Sequence, residues 1–126
     1  MVRVLTGHRA PITCLSFSPC GRLLASGGEG RRVRVWDLAE GSVVKELRGH
    51  LDTVTSLAWS RDSRLLATGG MDGAVKLWDV AAAGGANEGH SSPELMSTFP
   101  TGTNTVLGLQ YSDTNTLVVT GCLETR

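Results

Sequence analysis

Short runs in which apolar and polar residues alternate recur along this chain in the same order. The run at 12–18 alternates with a period of two residues, and the run at 54–60 repeats it. This period is typical of a β-strand, because successive side chains point to opposite faces of a sheet. Within the first run we expect one face to carry Ile12, Cys14 and Ser16 and the other to carry Thr13, Leu15 and Phe17. The pattern predicts strands in a sheet that is packed on both faces.

Three further strands are expected after each of these runs. They lie at 23–28, 33–36 and 43–47 in the first repeat and at 65–70, 75–78 and 95–99 in the second. Turn-forming residues separate them. Pro19 and Gly21 suit a type I turn and its exit, whereas Ser60 and Asp62 offer side-chain acceptors at the same place in the second repeat. Two more strands, at 105–111 and 116–121, repeat the first half of the unit.

Two residue pairs mark the period of the repeat. Gly7-His8 recurs as Gly49-His50, and Trp36-Asp37 recurs as Trp78-Asp79, each after 42 residues. Four antiparallel strands in a repeat of about 40–45 residues with these markers are typical of a blade in a WD40 β-propeller. The chain therefore resembles part of such a propeller, and we predict an all-β protein.

The repeat divides the chain, as an incomplete WD40 propeller over 1–126, into four parts. We expect an outer strand of a preceding blade at 1–6, a four-stranded antiparallel blade at 7–48, a second blade at 49–99 with a surface loop at 81–93, and half a blade at 100–126. Small and polar residues predict the loop. Because a propeller closes with about four to eight blades, the missing blades of a full-length propeller are expected to cover both ends.

Resemblance to WD40 blades implies a structural network of hydrogen bonds that runs from Asp to His to a hydroxyl to the Trp indole. The second repeat carries all four members, namely His50, Thr68, Asp72 and Trp78. The first repeat carries His8, Ser26 and Trp36, but Gly30 stands where Asp72 would align. The loss of one member of a buried network costs about 1–3 kcal/mol, so we expect the turn at 29–32 to be looser than the turn at 71–74.

The same set of His, Asp and hydroxyl residues resembles a catalytic triad. A single active site would not recur in successive repeats, and the sequence has neither a G-x-S-x-G elbow nor a phosphate-binding loop. We therefore expect no catalytic residues, no cofactor and no enzyme activity.

Cys14, Cys20 and Cys122 lack C-x-x-C spacing, which predicts reduced thiols rather than a disulfide or a metal site. His90 is interpreted as a solvated loop residue.

Charge narrows the class of partner. Twelve basic residues balance twelve acidic ones, so no overall field favours nucleic acid or a membrane. The balance is uneven, with eight basic and four acidic residues at 1–49 and four basic and eight acidic residues at 50–126.

Arg31, Arg32 and Arg34 are interpreted as exposed turn and strand charges. A phosphate- or RNA-binding patch is the alternative, but no aromatic residues are interleaved to stack bases. No membrane span or secretory signal is recognisable.

Longer runs resemble one particular WD40 family. The runs at 5–12, 15–19, 21–26, 35–41 and 45–50 are similar to the C-terminal WD repeats of the TFIID subunit 5 family of TBP-associated factors. The runs at 45–50 and 70–72, the loop end at 92–95 and the strands at 105–107 and 117–121 resemble most the TFIID-subunit-5-like paralogue of SAGA/PCAF-type histone acetyltransferase complexes.

This resemblance implies a non-enzymatic scaffold in the nucleus, whose propeller seats histone-fold TBP-associated factors and other coactivator subunits. No direct contact with nucleic acid or a membrane is expected, and the sequence does not identify partner-binding residues. The alternative is a WD40 adaptor of another class, such as a ubiquitin-ligase substrate receptor or a signalling scaffold. An enzyme built on a propeller would need a catalytic constellation that this sequence lacks.

Overall fold

The structure, a computed structural model, describes residues 10–80, 95–101, 105–112 and 117–122. These residues form ten β-strands in three antiparallel sheets. No helix in the described ranges is long and apolar enough to cross a membrane. The prediction of an all-β protein is confirmed.

Two of the sheets are four-stranded blades with the same strand order. Blade 1 contains β1 (Ile12–Phe17), β2 (Leu23–Gly28), β3 (Arg32–Asp37) and β4 (Ser42–Arg48). Blade 2 contains β5 (Val54–Trp59), β6 (Leu65–Gly70), β7 (Ala74–Asp79) and β8 (Leu95–Pro100). The third unit pairs β9 (Thr105–Tyr111) with β10 (Leu117–Cys122). The expected outer strand at 1–6 and surface loop at 81–93 lie outside the described residues.

A β-bulge interrupts the first strand of each unit at the same place. The residues left unpaired there are Thr13, Thr55 and Leu107. A bulge adds one residue to its strand and so reverses the alternation of side chains beyond it. The expected grouping of Ile12 with Cys14 is therefore wrong, because Ile12 is exposed together with Leu15 and Phe17. In β5, which has the same bulge, the corresponding residues Val54 and Trp59 are buried.

The turns between the first two strands close in the same way in both blades. The amide of Gly21 donates to the carbonyl of Ser18 at 2.9 Å, and the amide of Ser63 donates to the carbonyl of Ser60 at 3.0 Å. Gly21 and Ser63 both have positive φ, 77° and 62°. As predicted, Ser60 and Asp62 supply acceptors, since each binds an amide at the start of the next strand at 3.0–3.1 Å.

The apolar core is shared by the two blades. Its buried members come from both sheets and are Ala25, Val33, Val35, Leu47, Val54, Trp59, Leu66, Trp78 and Val80. Trp59 also crosses to blade 1 through its indole, whose Nε1 donates to the carbonyl of Ser16 at 2.9 Å. Because burial of apolar surface is the main favourable contribution to folding, the two blades stabilise each other.

Glycines in the second strand let the units stack closely. A Cβ atom at Gly27 would lie 2.9 Å from Cγ1 of Val54, and one at Gly69 would lie 2.5 Å from Cγ1 of Val106. These separations are too short for two carbon atoms, so only glycine leaves room for the valine of the next unit. Gly27 and Gly69 therefore fix the distance between neighbouring units.

Threonines at the bulges add hydrogen bonds between units. Thr13 Oγ1 donates to the carbonyl of Val54 at 2.5 Å, and Thr55 Oγ1 donates in the same way to the carbonyl of Val106. Each bond joins the bulge of one unit to the first strand of the next unit. The stacking of units thus follows one pattern, a threonine and a glycine on one unit against a valine on the next.

Candidate functional site

His50, Thr68, Asp72 and Trp78 are brought together at one end of blade 2. His50 Nδ1 lies 3.0 Å from Asp72 Oδ2, and His50 Nε2 lies 2.5 Å from Thr68 Oγ1. Trp78 Nε1 donates to the same Thr68 oxygen at 2.8 Å. The four residues lie before β5, in β6, in the β6–β7 turn and in β7. The network therefore connects a loop, a turn and two strands.

The bonds of this network run in one direction when His50 is neutral. The Trp78 indole can only donate, so Thr68 Oγ1 accepts from it and gives its own proton to His50 Nε2. His50 then carries its proton on Nδ1 and donates it to the Asp72 carboxylate. Asp72 Oδ2 also accepts from the backbone amide of Leu51 at 3.1 Å. The chain of bonds ends on an acceptor and leaves no donor in the series unused.

Asp72 is held as a carboxylate. Burial alone would raise its pKa, but the hydrogen bond and the charge interaction with His50, together with the amides of Leu51 and Ala74, lower the pKa to about 2. The Ala74 amide donates to Asp72 Oδ1 at 3.2 Å. An ionised carboxylate can accept several hydrogen bonds at once, so Asp72 closes the turn and anchors the His50 loop at neutral pH.

The geometry of the network does not suit nucleophilic catalysis. Thr68 is 0% exposed, and its oxygen is engaged by both His50 and Trp78. A catalytic hydroxyl must instead face a substrate across an open site. The corresponding pair in blade 1 is also present, since Trp36 Nε1 donates to Ser26 Oγ at 2.8 Å. We therefore interpret the set as part of the scaffold.

The corresponding turn of blade 1 has no carboxylate. Gly30 stands at the position of Asp72, and His8 lies outside the described residues. Arg31 has φ of 64°, the left-handed conformation that Gly73 adopts in blade 2 with φ of 72°. A residue with a Cβ in this conformation costs about 1–2 kcal/mol. Because the turn combines a missing acceptor with a strained residue, its looser packing remains our prediction.

Two cysteines are free thiols in different surroundings. Burial raises the pKa of Cys14, whereas hydrogen bonds from Ser18 and Ser63, with the Arg22 amide, lower the pKa of the exposed Cys20 to about 7. Cys20 lies in a cleft between the turns of blade 1 and blade 2. Within the described residues, no group of three or more His, Cys, Asp or Glu is placed to hold a metal ion.

The basic residues of blade 1 differ in exposure. Arg31 and Arg32 are exposed, whereas the side chain of Arg34 is only 14% exposed. Glu46 lies 2.5 Å from Arg32 Nη1 and 3.8 Å from Arg34 Nη2. The expectation of exposed charge is therefore wrong for Arg34, because the pairing of β3 with β4 places it opposite Glu46.

Large apolar side chains lie exposed beside the blade 2 network. Leu51 follows His50 and is 79% exposed, and Met71, in the β6–β7 turn, is 50% exposed. The backbone of both residues is fixed, since the Leu51 amide binds Asp72 and the Met71 amide donates to the carbonyl of Thr53 at 2.9 Å. We call this pair the Leu51–Met71 surface. Its signal in the sequence is an apolar residue directly after Gly-His and another directly before Asp-Gly.

Stacked four-stranded meanders with a Gly-His and Trp-Asp period define the class of the protein, a β-propeller. The fold resembles the crystal structure of RRP9 WD40 repeats, with a TM-score of 0.75 and 24% identity over 86% of this chain and 32% of that chain. The family described as "WD domain, G-beta repeat" matches residues 1–37 and 41–79, more than half of the sequence. The chain belongs to the WD40 family.

Curated relatives match stretches of about one repeat. The WD repeat-containing protein SL1-17 of Schistosoma mansoni is 44% identical over 34% of this chain and 14% of its own length. The periodic tryptophan protein 2 homolog of Schizosaccharomyces pombe is 41% identical over 36% of this chain and 5% of its own. The Notchless protein homolog of Arabidopsis thaliana is 47% identical over 29% and 8%. The chain thus spans a small part of each of these relatives.

Proposed function

We propose that this chain supplies a protein-binding surface to a non-enzymatic WD40 scaffold. The observation that carries the proposal is the exposure of Leu51 and Met71 on backbone that the Asp72 network holds in place. Large apolar side chains on rigid turns offer a partner apolar area at little cost in conformational entropy. The buried network holds the backbone of the blade in place, and the exposed apolar side chains of Leu51 and Met71 are available to a partner protein.

We propose further that the scaffold is a subunit of a TFIID- or SAGA/PCAF-type coactivator complex in the nucleus. The support is the sequence resemblance of the runs at 45–50 and 70–72, the second of which contains Met71. The partners would be histone-fold TBP-associated factors and other coactivator subunits. Histone folds are helical, and the apolar face of an amphipathic helix is suited to a surface such as Leu51–Met71.

The experiment is affinity purification of the tagged full-length product from nuclear extract, with quantitative mass spectrometry of bound proteins. We expect TBP-associated factors and acetyltransferase subunits in the eluate. The combined L51D and M71D substitutions should lower their recovery by about tenfold, because central apolar contacts carry much of the binding free energy. V44D is the control, since Val44 is an apolar residue on the outer strand of blade 1 whose exposure, 44%, is close to the 50% of Met71.

Different outcomes test the coactivator assignment and the role of the Leu51–Met71 surface. An eluate without TBP-associated factors or acetyltransferase subunits refutes the coactivator assignment. Recovery of ubiquitin-ligase or signalling proteins in their place would show the alternative class of WD40 adaptor. Equal loss of partners with V44D and with L51D/M71D would show that the Leu51–Met71 surface has no special role.

A further inference from the structure

Blade 2 buries a lysine that has no counter-charge. Lys76, in β7, is 8% exposed, and its Nζ donates to Oγ1 of Thr98 in β8 at 3.0 Å. A Cβ atom at Gly49, in the loop that follows β4, would lie 3.6 Å from Cδ and 3.7 Å from Cε of Lys76, so the side chain lies between the two blades. Among the described residues, no carboxylate lies within ion-pair distance of Lys76. Lysine is rarely buried to this extent unless an acid is paired with it.

The equivalent residue of blade 1 does have a carboxylate beside it. The residues that pair side by side across the second, third and outer strands are Ser26, Arg34 and Glu46 in blade 1 and Thr68, Lys76 and Thr98 in blade 2. Glu46 Oε2 lies 3.8 Å from Arg34 Nη2. The outer strand of blade 2 therefore offers a hydroxyl where the outer strand of blade 1 offers a carboxylate. An ammonium can donate three hydrogen bonds, and Thr98 accepts one of them.

The outer edge of β8 is open to a further strand. β8 is the last strand of its sheet, and no strand within the described residues pairs with its outer edge. It contains no charged residue, whereas β4, the outer strand of blade 1, contains Lys45, Glu46 and Arg48. Charged side chains are one means by which edge strands avoid pairing with other chains. In a propeller the neighbouring blades cover the faces of a blade, whereas the edge of its outer strand points away from them.

We propose that the outer edge of β8 binds an extended, acidic segment of a partner protein, whose Asp or Glu side chain pairs with Lys76. A strand added beside β8 would lie about 4.8 Å away, and the Cβ atom opposite Thr98 would lie about 4.5–5.5 Å from that of Thr98. A carboxylate at that position can reach the ammonium, which already lies at the Thr98 hydroxyl. The backbone hydrogen bonds of the added strand supply affinity, and the charge selects the segment. A second copy of β8 would bring no acid, because β8 contains none.

The test measures the binding of synthetic peptides to the whole chain by fluorescence anisotropy. Two peptides alternate valine and threonine and differ only at the central residue, which is glutamate in one and glutamine in the other. We expect the glutamate peptide to bind at least about tenfold more tightly, because its hydrogen bond to the ammonium joins two charged groups. A third peptide, methylated on every backbone amide, should not bind, since it cannot donate the hydrogen bonds of a strand.

Substitutions in the chain test the role of Lys76 itself. K76M removes the ammonium and keeps an unbranched side chain that can pack against Gly49. T98E places a carboxylate at the position of Glu46 in blade 1, so that Lys76 is paired within its own blade, and T98Q is the matched control. We expect K76M and T98E to bind the glutamate and glutamine peptides equally, and T98Q to keep the preference for glutamate. Far-UV circular dichroism checks that each variant is folded, and the comparison of T98E with T98Q decides the question even where K76M unfolds.

Several results would overturn the proposal. Equal affinity of the unmodified chain for the two peptides, or no binding up to about 1 mM, would show that the edge does not select an acid. A preference for glutamate that persists in T98E and K76M would place the carboxylate away from Lys76, and binding of the methylated peptide would exclude an added strand. Self-association in sedimentation velocity that the glutamate peptide does not reduce would assign the edge to a second copy. The L51D/M71D variant should bind the glutamate peptide like the unmodified chain, because the Leu51–Met71 surface is a separate site.

Discussion

Replacing Thr68 with valine should test the blade 2 network most directly. Valine has nearly the shape of threonine, so the substitution removes the hydroxyl without opening a cavity. Thr68 is 0% exposed, and its oxygen both accepts from Trp78 Nε1 and donates to His50 Nε2. T68V therefore leaves one buried donor and one buried acceptor without partners. T68S is the matched control, because it keeps the hydroxyl and loses only a methyl group, as Ser26 does in blade 1.

The expected magnitudes differ enough to be resolved. Each unsatisfied buried polar group costs about 1–3 kcal/mol, so T68V, which leaves two such groups, should lower the free energy of unfolding by about 2–6 kcal/mol. The methyl group lost in T68S is worth about 1 kcal/mol. Trp78 and His50 are themselves 0% and 5% exposed, which keeps water from replacing the lost partner. The hydroxyl, and not the side-chain volume, should therefore dominate the effect.

The measurement is urea unfolding of the whole chain at neutral pH, followed by far-UV circular dichroism. The dependence of unfolding free energy on urea should keep its slope in both variants, because the surface exposed on unfolding is unchanged. A T68V chain that is no less stable than T68S would show that the hydrogen bonds of Thr68 contribute nothing net, and our account of the network would be wrong.

Three further predictions concern single residues. R31G should raise the free energy of unfolding by about 0.5–1 kcal/mol, because glycine adopts the left-handed conformation of Arg31 without strain, as Gly73 does in blade 2. Urea unfolding measures this change, and a loss of stability would contradict the prediction. Cys20 should react with iodoacetamide at pH 7 at least about tenfold faster than Cys14, since the pKa of Cys20 is lowered to about 7 whereas burial raises the pKa of Cys14. Peptide mass spectrometry measures both rates, and equal rates would refute the prediction. Asp72 stabilises the fold when ionised, so about 2 kcal/mol should be present above pH 4 and lost as the pH falls through about 2. The stability difference between the wild type and D72N should shrink over that interval, and a difference independent of pH would exclude the mechanism.

Most of the fold follows from periodicity. The period-two runs and the recurring Gly-His and Trp-Asp pairs locate the strands to within one or two residues, because strand side chains must alternate between two environments. The resemblance to WD40 blades implies that His50, Thr68, Asp72 and Trp78 form a set, and the structure places them within hydrogen-bond distance. The pair of Trp and hydroxyl recurs in blade 1 as Trp36 and Ser26, whereas the carboxylate of Asp72 has no counterpart at Gly30.

Other features depend on contacts that the sequence does not display. The bulges at Thr13 and Thr55 were not foreseen, because an extra residue in a strand leaves no mark in a short alternating run. The burial of Arg34 results from its position opposite Glu46, a relation set by strand register. The Leu51–Met71 surface arises where two turns are held by one carboxylate, so it requires the folded blade.

The three tryptophans occupy two kinds of position. Trp36 and Trp78 donate to hydroxyls inside their own blades, whereas Trp59 donates to the Ser16 carbonyl of the neighbouring blade. When the blades separate while each remains folded, Trp59 loses its acceptor together with the apolar cover that blade 1 gives it, whereas Trp36 and Trp78 keep their acceptors. Indole emission depends on both, so the protein carries its own optical reporter of blade separation, distinct from the reporters of unfolding within a blade.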